Sequence, residues 1–215
     1  MANALPGSTV STDHLGTTVT LPRTFEPCPC LSDKSPANIV AASSPLSHIF
    51  FSTFRDPHTK ILDKRTVLVC IDGACAGNGT PAARAGVGVF FGPESPHNVS
   101  AAIAGPQTSQ RAEILAATGA LRKAHALFQE DTSVGSVVLL CDSQYVVGAM
   151  TEWIFAWKDR GWRNAHGEPV ENQADFRELE KVIEDLEEDG LDVKFWLVGR
   201  EHNAQADRLA KAACS

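Results

Sequence analysis

Long apolar runs are missing from this 215-residue chain, and none approaches the roughly 18 to 20 residues needed to cross a bilayer. The start also lacks the basic residues and apolar stretch of a secretory signal. Arg23 is the only arginine before Arg55, too few for an organelle presequence despite the Ser and Thr around it. These absences predict an intracellular protein, cytoplasmic or nuclear, with no membrane association. Patterned cysteine is missing too: Cys28, Cys30, Cys70, Cys75, Cys141 and Cys214 show neither a disulfide framework nor four-ligand zinc spacing. Cys28 and Cys30 offer half of a metal site, with no second Cys or His pair placed to complete it. Reduced thiols are expected, Cys70 and Cys141 being small core residues within apolar runs. Basic charge is in deficit: 19 Lys and Arg against 26 Asp and Glu give a net charge of −7, which argues against indiscriminate binding to polyanions. Contact with nucleic acid has to be local, and composition alone favours an acidic enzyme for small molecules.

What is present begins with enough apolar content, 43%, to bury the core of one domain with an appendage. Residues 1–62 read as an irregular Ser/Thr/Pro-rich extension, with Pro6, Pro22, Pro27, Pro29, Pro36 and Pro45 scattered without periodicity. Within it, Ile49, Phe50 and Phe51 are poorly suited to a free tail and point to packing on the folded body. Residues 63–215 read as that body. Val67–Ile71 is a buried strand ending at Asp72 and Gly73; strands follow over residues 85–91 and 99–103, a sequence of three that suggests an antiparallel meander. A helix capped by Thr108 or Ser109 runs to about Phe128. A strand over residues 137–141 ends at Asp142, and a helix starts at Gln144. A helix over residues 175–188, a strand over 193–198 and a helix capped by Asn203 complete a β-β-β-α-β-α-α-β-α order, a mixed α/β domain.

Asp72 and Asp142 each follow an apolar strand, at the carboxyl ends where open α/β sheets gather ligands, while Glu113 and Asp207 sit in the first turns of helices. Each position also suits an acid for local reasons, so single positions leave both readings open. A carboxylate cluster without His or Cys suits hard cations such as Mg²⁺ or Mn²⁺ rather than zinc. Two such ions about 4 Å apart can activate water and stabilise the leaving oxygen of a phosphodiester. Aromatic and basic residues interleave in one place, from Trp153 through Trp157, Lys158, Arg160, Trp162 and Arg163 to Asn164; basic side chains there supply phosphate contacts, unless the Trp are core residues of a helix pair.

The sequences Ile71-Asp72-Gly73-Ala74-Cys75 with Asn78-Gly79, Ser109-Gln110-Arg111-Ala112-Glu113, Cys141-Asp142-Ser143-Gln144-Tyr145-Val146 and Asn203-Ala204-Gln205-Ala206-Asp207-Arg208-Leu209-Ala210 together resemble the type 1 ribonuclease H family, over about residues 66–213. The resemblance implies a mixed five-stranded sheet, three antiparallel strands then two parallel, flanked by helices. It implies a monomeric endonuclease cutting the RNA strand of RNA/DNA hybrids with two Mg²⁺ ions per site, Mn²⁺ as an alternative, and leaving 5′-phosphate and 3′-hydroxyl ends. In that reading Asp72 bridges both ions, Glu113 and Asp142 hold the one near the leaving group, and Asp207 holds the one that activates water. Asn78 and Gln110 match positions that contact the RNA strand, where 2′-hydroxyls distinguish it from DNA. Tyr145, Trp153 and Trp157 match a channel for the DNA strand, and Thr108 with Asn172 match a phosphate pocket.

The chain departs from the pattern where Gly199-Arg200-Glu201-His202 runs directly into Asn203, so the loop that usually carries a mobile His is shortened and His202 is left as an auxiliary candidate. Ala204 replaces the acid usual after that Asn, and no N-terminal hybrid-binding module is recognisable in residues 1–62. Rival readings are a non-catalytic hybrid-binding protein on the same fold, another nuclease of the superfamily, and the ribonuclease H domain of a reverse transcriptase.

Overall fold

A computed structural model describes residues 8–12, 18–26, 50–52, 65–131 and 133–215. Its centre is strand β4, Arg65–Ala76, whose residues Val67–Ile71 are buried. Strand β5, Arg84–Phe90, and strand β6, Val99–Ala102, follow it as an antiparallel meander. Strand β7, Val134–Cys141, pairs parallel with the other side of β4, and strand β8, Asp192–Leu197, pairs parallel with β7. The order β6-β5-β4-β7-β8 is the expected mixed sheet. One boundary differs from its reading in the sequence. The apolar run stops at Ile71, but pairing with β5 continues from Cys70 to Ala76, so backbone hydrogen bonds carry the strand through Asp72 instead of turning there.

Alternation along β4 divides the core. Val67, Val69 and Ile71 face helix α1, Ser109–Phe128, and helix α4, Gln173–Glu188, which pack against each other and bring Ile114, Leu121, Phe176, Leu179 and Ile183 into one cluster. Leu68 and Cys70 face the opposite side, with Val138, Leu140, Trp196 and Ala206, the last from helix α5, Ala204–Ala212. Between β7 and α4, helix α2, Gln144–Gly148, passes through a wide π turn, Ala149–Trp153, into helix α3, Ile154–Asp159. Among the described residues no helix is long and apolar enough to cross a membrane.

Regular structure also occurs inside the stretch read as irregular. Strands β1, Ser8–Thr12, and β2, Thr18–Pro22, pair antiparallel, and strand β3, Phe50–Ser52, pairs antiparallel with Thr66–Leu68 of β4. Residues 23–25 lie along the outer edge of β8: the Phe195 amide donates to the Arg23 carbonyl at 2.8 Å and the Phe25 amide donates to the Phe195 carbonyl at 2.9 Å. Phe25 rests on Trp196, ring centroids 5.0 Å apart. These contacts are long in sequence separation, which is why no local periodicity announces them. Ile49, Cys28 and Cys30 lie outside the described residues. Cys70 and Cys141 are buried, unbridged thiols, burial pushing the Cys70 thiol up to about 12.

Candidate active site

Four elements bring the acids together. Pairing between β4 and β7 ends at Cys70 and Leu140, so beyond that point β4 has a free side, and Asp142 follows the last residue of β7 there. Asp72 lies two residues past the end of that pairing. Gly73 lets α1 sit directly on β4: a Cβ at Gly73 would fall 2.1 Å from the Glu113 amide nitrogen. On the other face, Gly88, the cross-strand partner of Asp72, lies so close to α5 that a Cβ would fall 2.1 Å from the Ala206 carbonyl oxygen, one residue before Asp207. Asp72, Glu113, Asp142 and Asp207 accordingly line one groove of about 1040 Å³, together with Gln110, Ser143, Tyr145, Arg200, Asn203 and Lys211.

Hydrogen bonds orient the acids. The Ser143 hydroxyl, which caps α2 by accepting from the Val146 amide, donates to Glu113 Oε2 at 2.6 Å. Asn203 stands at the start of α5 but makes no side-chain cap bond; instead its Nδ2 donates to Asp142 Oδ1 and to the Ile71 carbonyl, both at 2.8 Å. It is buried, so the bond to Asp142 is sheltered from competing water. Arg200 Nε lies 3.4 Å from Asp142 Oδ2, and Lys211 Nζ lies 2.8 Å from Asp207 Oδ1. Burial, reinforced by the negative charges of Asp142, Asp207 and Glu113, pushes the Asp72 carboxyl up to about 7 against the opposing hydrogen bond from Gly73. Glu113 is also raised, by burial and then by Asp142, with Ser143 and Arg200 working the other way.

Such a set suits a hard divalent cation: the donors are carboxylates, the groove is open, and the central acid is disfavoured as an anion by its own neighbours. Among the described residues no three Asp, Glu, His or Cys side chains are gathered closely enough to cage an ion as they stand. A cation that keeps waters and takes substrate oxygens as ligands needs no such cage.

The other expected residues divide into groups. Gln110 lines the groove at the start of α1, and Asn78, exposed on the β4–β5 loop, donates to Ser109 Oγ at 3.5 Å beside it. Thr108 caps α1 by accepting from the Arg111 amide at 3.2 Å. Asn172, left-handed at φ 55°, donates to the Tyr145 hydroxyl at 3.3 Å. Tyr145, Trp153 and Trp157 form a row with successive ring centroids 6.3 Å and 6.0 Å apart. Trp153 is exposed, whereas Trp157 and Trp162 pack partly against the core, so the segment is neither wholly surface nor wholly core. Lys158 is held at 2.8 Å by both Glu180 and Glu184, while Arg160 is exposed. His202 lies in a short 3₁₀ turn, 3.6 Å from Glu201 Oε1, and is not among the groove-lining residues. Sequence reading missed Arg200, Lys211 and the Ser143 bond to Glu113. Only Lys211 had a local signal, its i,i+4 spacing from Asp207.

Comparison with known proteins agrees with this architecture. The profile of the RNase H family matches residues 64–215. Ribonuclease H1 of Mus musculus is 39% identical over 150 residues, 68% of this chain and 49% of that protein, so the chain spans about half the length of this relative. Ribonuclease H of Nitrosomonas eutropha is 38% identical over 161 residues, 69% of this chain and 89% of that protein. The crystal structure of LC9-RNase H1, described as a type 1 RNase H with the type 2 active-site motif, is 28% identical with a TM-score of 0.52, over 73% of this chain and 74% of that one. Sheet order, groove and profile match converge, and the chain belongs to the RNase H family.

Proposed function

We propose that this chain is a divalent-metal-dependent endonuclease that hydrolyses the RNA strand of RNA/DNA hybrids, leaving 5′-phosphate and 3′-hydroxyl ends. The observation that carries the reading is the convergence of Asp72, Glu113, Asp142 and Asp207, from four separate elements, on one open groove. These carboxylates would hold Mg²⁺ or Mn²⁺, two ions per site, supplying the charge that activates water and stabilises the leaving oxygen of a phosphodiester. Ser143 and Asn203 fix the orientations of Glu113 and Asp142, while burial and crowding raise the Asp72 carboxyl, a penalty on its charged form that a bound cation would relieve.

Substrate choice follows from the groove's two margins. Gln110 and Asn78 offer amide groups at the start of α1, suited to the 2′-hydroxyls that a hybrid displays in its wide minor groove. The Tyr145–Trp153–Trp157 row and the exposed Arg160 offer stacking surfaces and charge to the DNA strand, a local attraction that a net charge of −7 does not supply globally. Residues 63–215 are proposed as the catalytic unit, with residues 23–25 docked on it, acting as a monomer inside the cell. Incubation with labelled RNA/DNA hybrid, RNA duplex, DNA duplex and single strands, with and without Mg²⁺, tests the reading. Metal-dependent internal cleavage of RNA in the hybrid alone is expected. Hybrid binding without cleavage would favour a non-catalytic role, and cleavage of DNA a different nuclease of the superfamily.

A further inference from the structure

Glu180 on α4 is shared by two cations of very different freedom. Its side chain is 5% exposed; Arg23 Nη1 meets Oε2 at 2.6 Å and Lys158 Nζ meets Oε1 at 2.8 Å. Arg23 is itself buried, reaches Glu187 at 3.4 Å, and places its guanidinium carbon 5.8 Å from the Phe155 ring centroid on α3. Its main chain is tied to β8 through Phe195, so it cannot turn away without peeling the edge segment off the sheet. Lys158 is 42% exposed, sits on a flexible stem at the end of α3, and has as its second partner the exposed Glu184. Its neighbour Trp157 belongs to the aromatic row proposed to face the DNA strand.

A lysine held in two ion pairs is a poor phosphate ligand unless it can leave them. Exposed pairs such as Lys158–Glu184 are weak, but abandoning a buried carboxylate is the costly half of breaking a buried pair. Arg23 removes that obstacle, because Glu180 keeps a buried counterion when Lys158 departs. The joint effect is visible in Glu180 itself: burial pushes its carboxyl up, yet Arg23 and Lys158 outweigh burial and hold it below the usual range.

We propose that Arg23 is a positioning residue for substrate binding: by compensating Glu180 from the sheet edge, it frees Lys158 to exchange that carboxylate for a phosphate of the hybrid's DNA strand. This rests on the hybrid-binding function proposed above. It gives a residue of the N-terminal stretch a part in substrate affinity without touching substrate.

The test is hybrid affinity by fluorescence anisotropy across a salt series, with kcat and cooperative unfolding measured on the same full-length proteins. Lys158→Ala is expected to weaken binding about fivefold and to reduce the salt slope by about one, the counterion release of one phosphate contact. Arg23→Ala is expected to do the same although Arg23 is buried, because Lys158 is then retained by Glu180; kcat at saturation should change less than about twofold. Arg23→Lys should resemble wild type, and Arg23→Gln, which keeps donors without charge, should resemble Arg23→Ala. The deciding variant is Arg23→Ala with Glu180→Gln: a neutral amide needs no counterion, so affinity and slope should return. If Arg23→Ala fails to unfold cooperatively, Arg23→Gln alone and with Glu180→Gln give the same comparison. A wild-type slope in Arg23→Gln and Arg23→Ala, no effect of Lys158→Ala, or no recovery in the double variants would overturn the proposal. A wild-type chain that binds no hybrid would overturn the proposed function itself.

Discussion

Asp72 stands directly across the sheet from Gly88, and at Gly88 the backbone of α5 packs directly on β5. The absence of one side chain therefore seats the helix that carries Asp207 beside the central acid. In Gly88→Ala the new Cβ would lie 2.1 Å from the Ala206 carbonyl, so helix or strand has to move. Overpacking of this kind costs about 1–3 kcal/mol. A lower Tm is expected, with cleavage falling more than hybrid binding. A wild-type Tm with unchanged cleavage would show that α5 is not held at this point.

The raised Asp72 carboxyl gives a pH dependence with a definite sign. Its value of about 7 in the folded protein exceeds the value of about 3.9 for an unfolded Asp, so the native state binds the proton more tightly. The resulting stabilisation is fully present below about pH 4 and is lost as pH rises towards and through 7. With divalent ions chelated, wild type should lose stability relative to Asp72→Asn over that window. Added Mg²⁺ should raise the wild-type Tm more at about pH 8 than at about pH 5.5, because a proton competes for the same carboxyl. Thermal unfolding of both proteins against pH checks this; an Mg²⁺ effect larger in acid would contradict it.

Sequence alone predicts that residues 63–215 fold and act without the preceding segment. The contacts of Arg23 and Phe25 change the expected outcome. Removing residues 1–62 leaves Glu180 buried without Arg23 and uncovers the edge of β8. Stranding a buried carboxylate typically destabilises by about 3–5 kcal/mol, here moderated by Lys158. Urea unfolding should show a large loss for deletion of residues 1–26, which spares β3, and a much smaller one for deletion of residues 1–22. Equal midpoints would mean that residues 23–25 add nothing to the fold.

His202 and Asp207 lie five residues apart but in different surroundings. Asp207 lines the groove beside Lys211, whereas His202 is turned to Glu201 outside the lining. His202→Ala should reduce turnover less than about tenfold, roughly 1.4 kcal/mol of barrier, and Asp207→Asn far more. Comparable losses in side-by-side assays with Mg²⁺ would identify His202 as a catalytic group.

Much of this was legible in the sequence, because the signals were local. Val67–Ile71 and the helical spacing in α4 marked the sheet and its cover, and the four acids stood in recognisable motifs. What escaped was non-local. Arg23 meets Glu180 across 157 positions, from a segment whose Ser, Thr and Pro carry no periodicity. Lys158, whose residue type suggests a phosphate contact, is also paired with Glu180 and Glu184 of α4, and Asn203, read as a cap, reaches β4 and Asp142 instead. Residue type announced polarity in each case, but only the tertiary fold decided the partner.

The central measurement is single-turnover cleavage of an RNA/DNA hybrid by wild type and Asp72→Asn at matched Mg²⁺, with hybrid binding followed in parallel and product ends identified. Wild type should cut within the RNA strand, only when Mg²⁺ is present, and leave 5′-phosphate and 3′-hydroxyl ends. Asp72→Asn should bind hybrid but not cut it, since the substitution removes metal-attracting charge without touching the Tyr145–Trp153–Trp157 row. Robust cleavage by Asp72→Asn, or cleavage by wild type undiminished in chelator, would contradict the carboxylate mechanism.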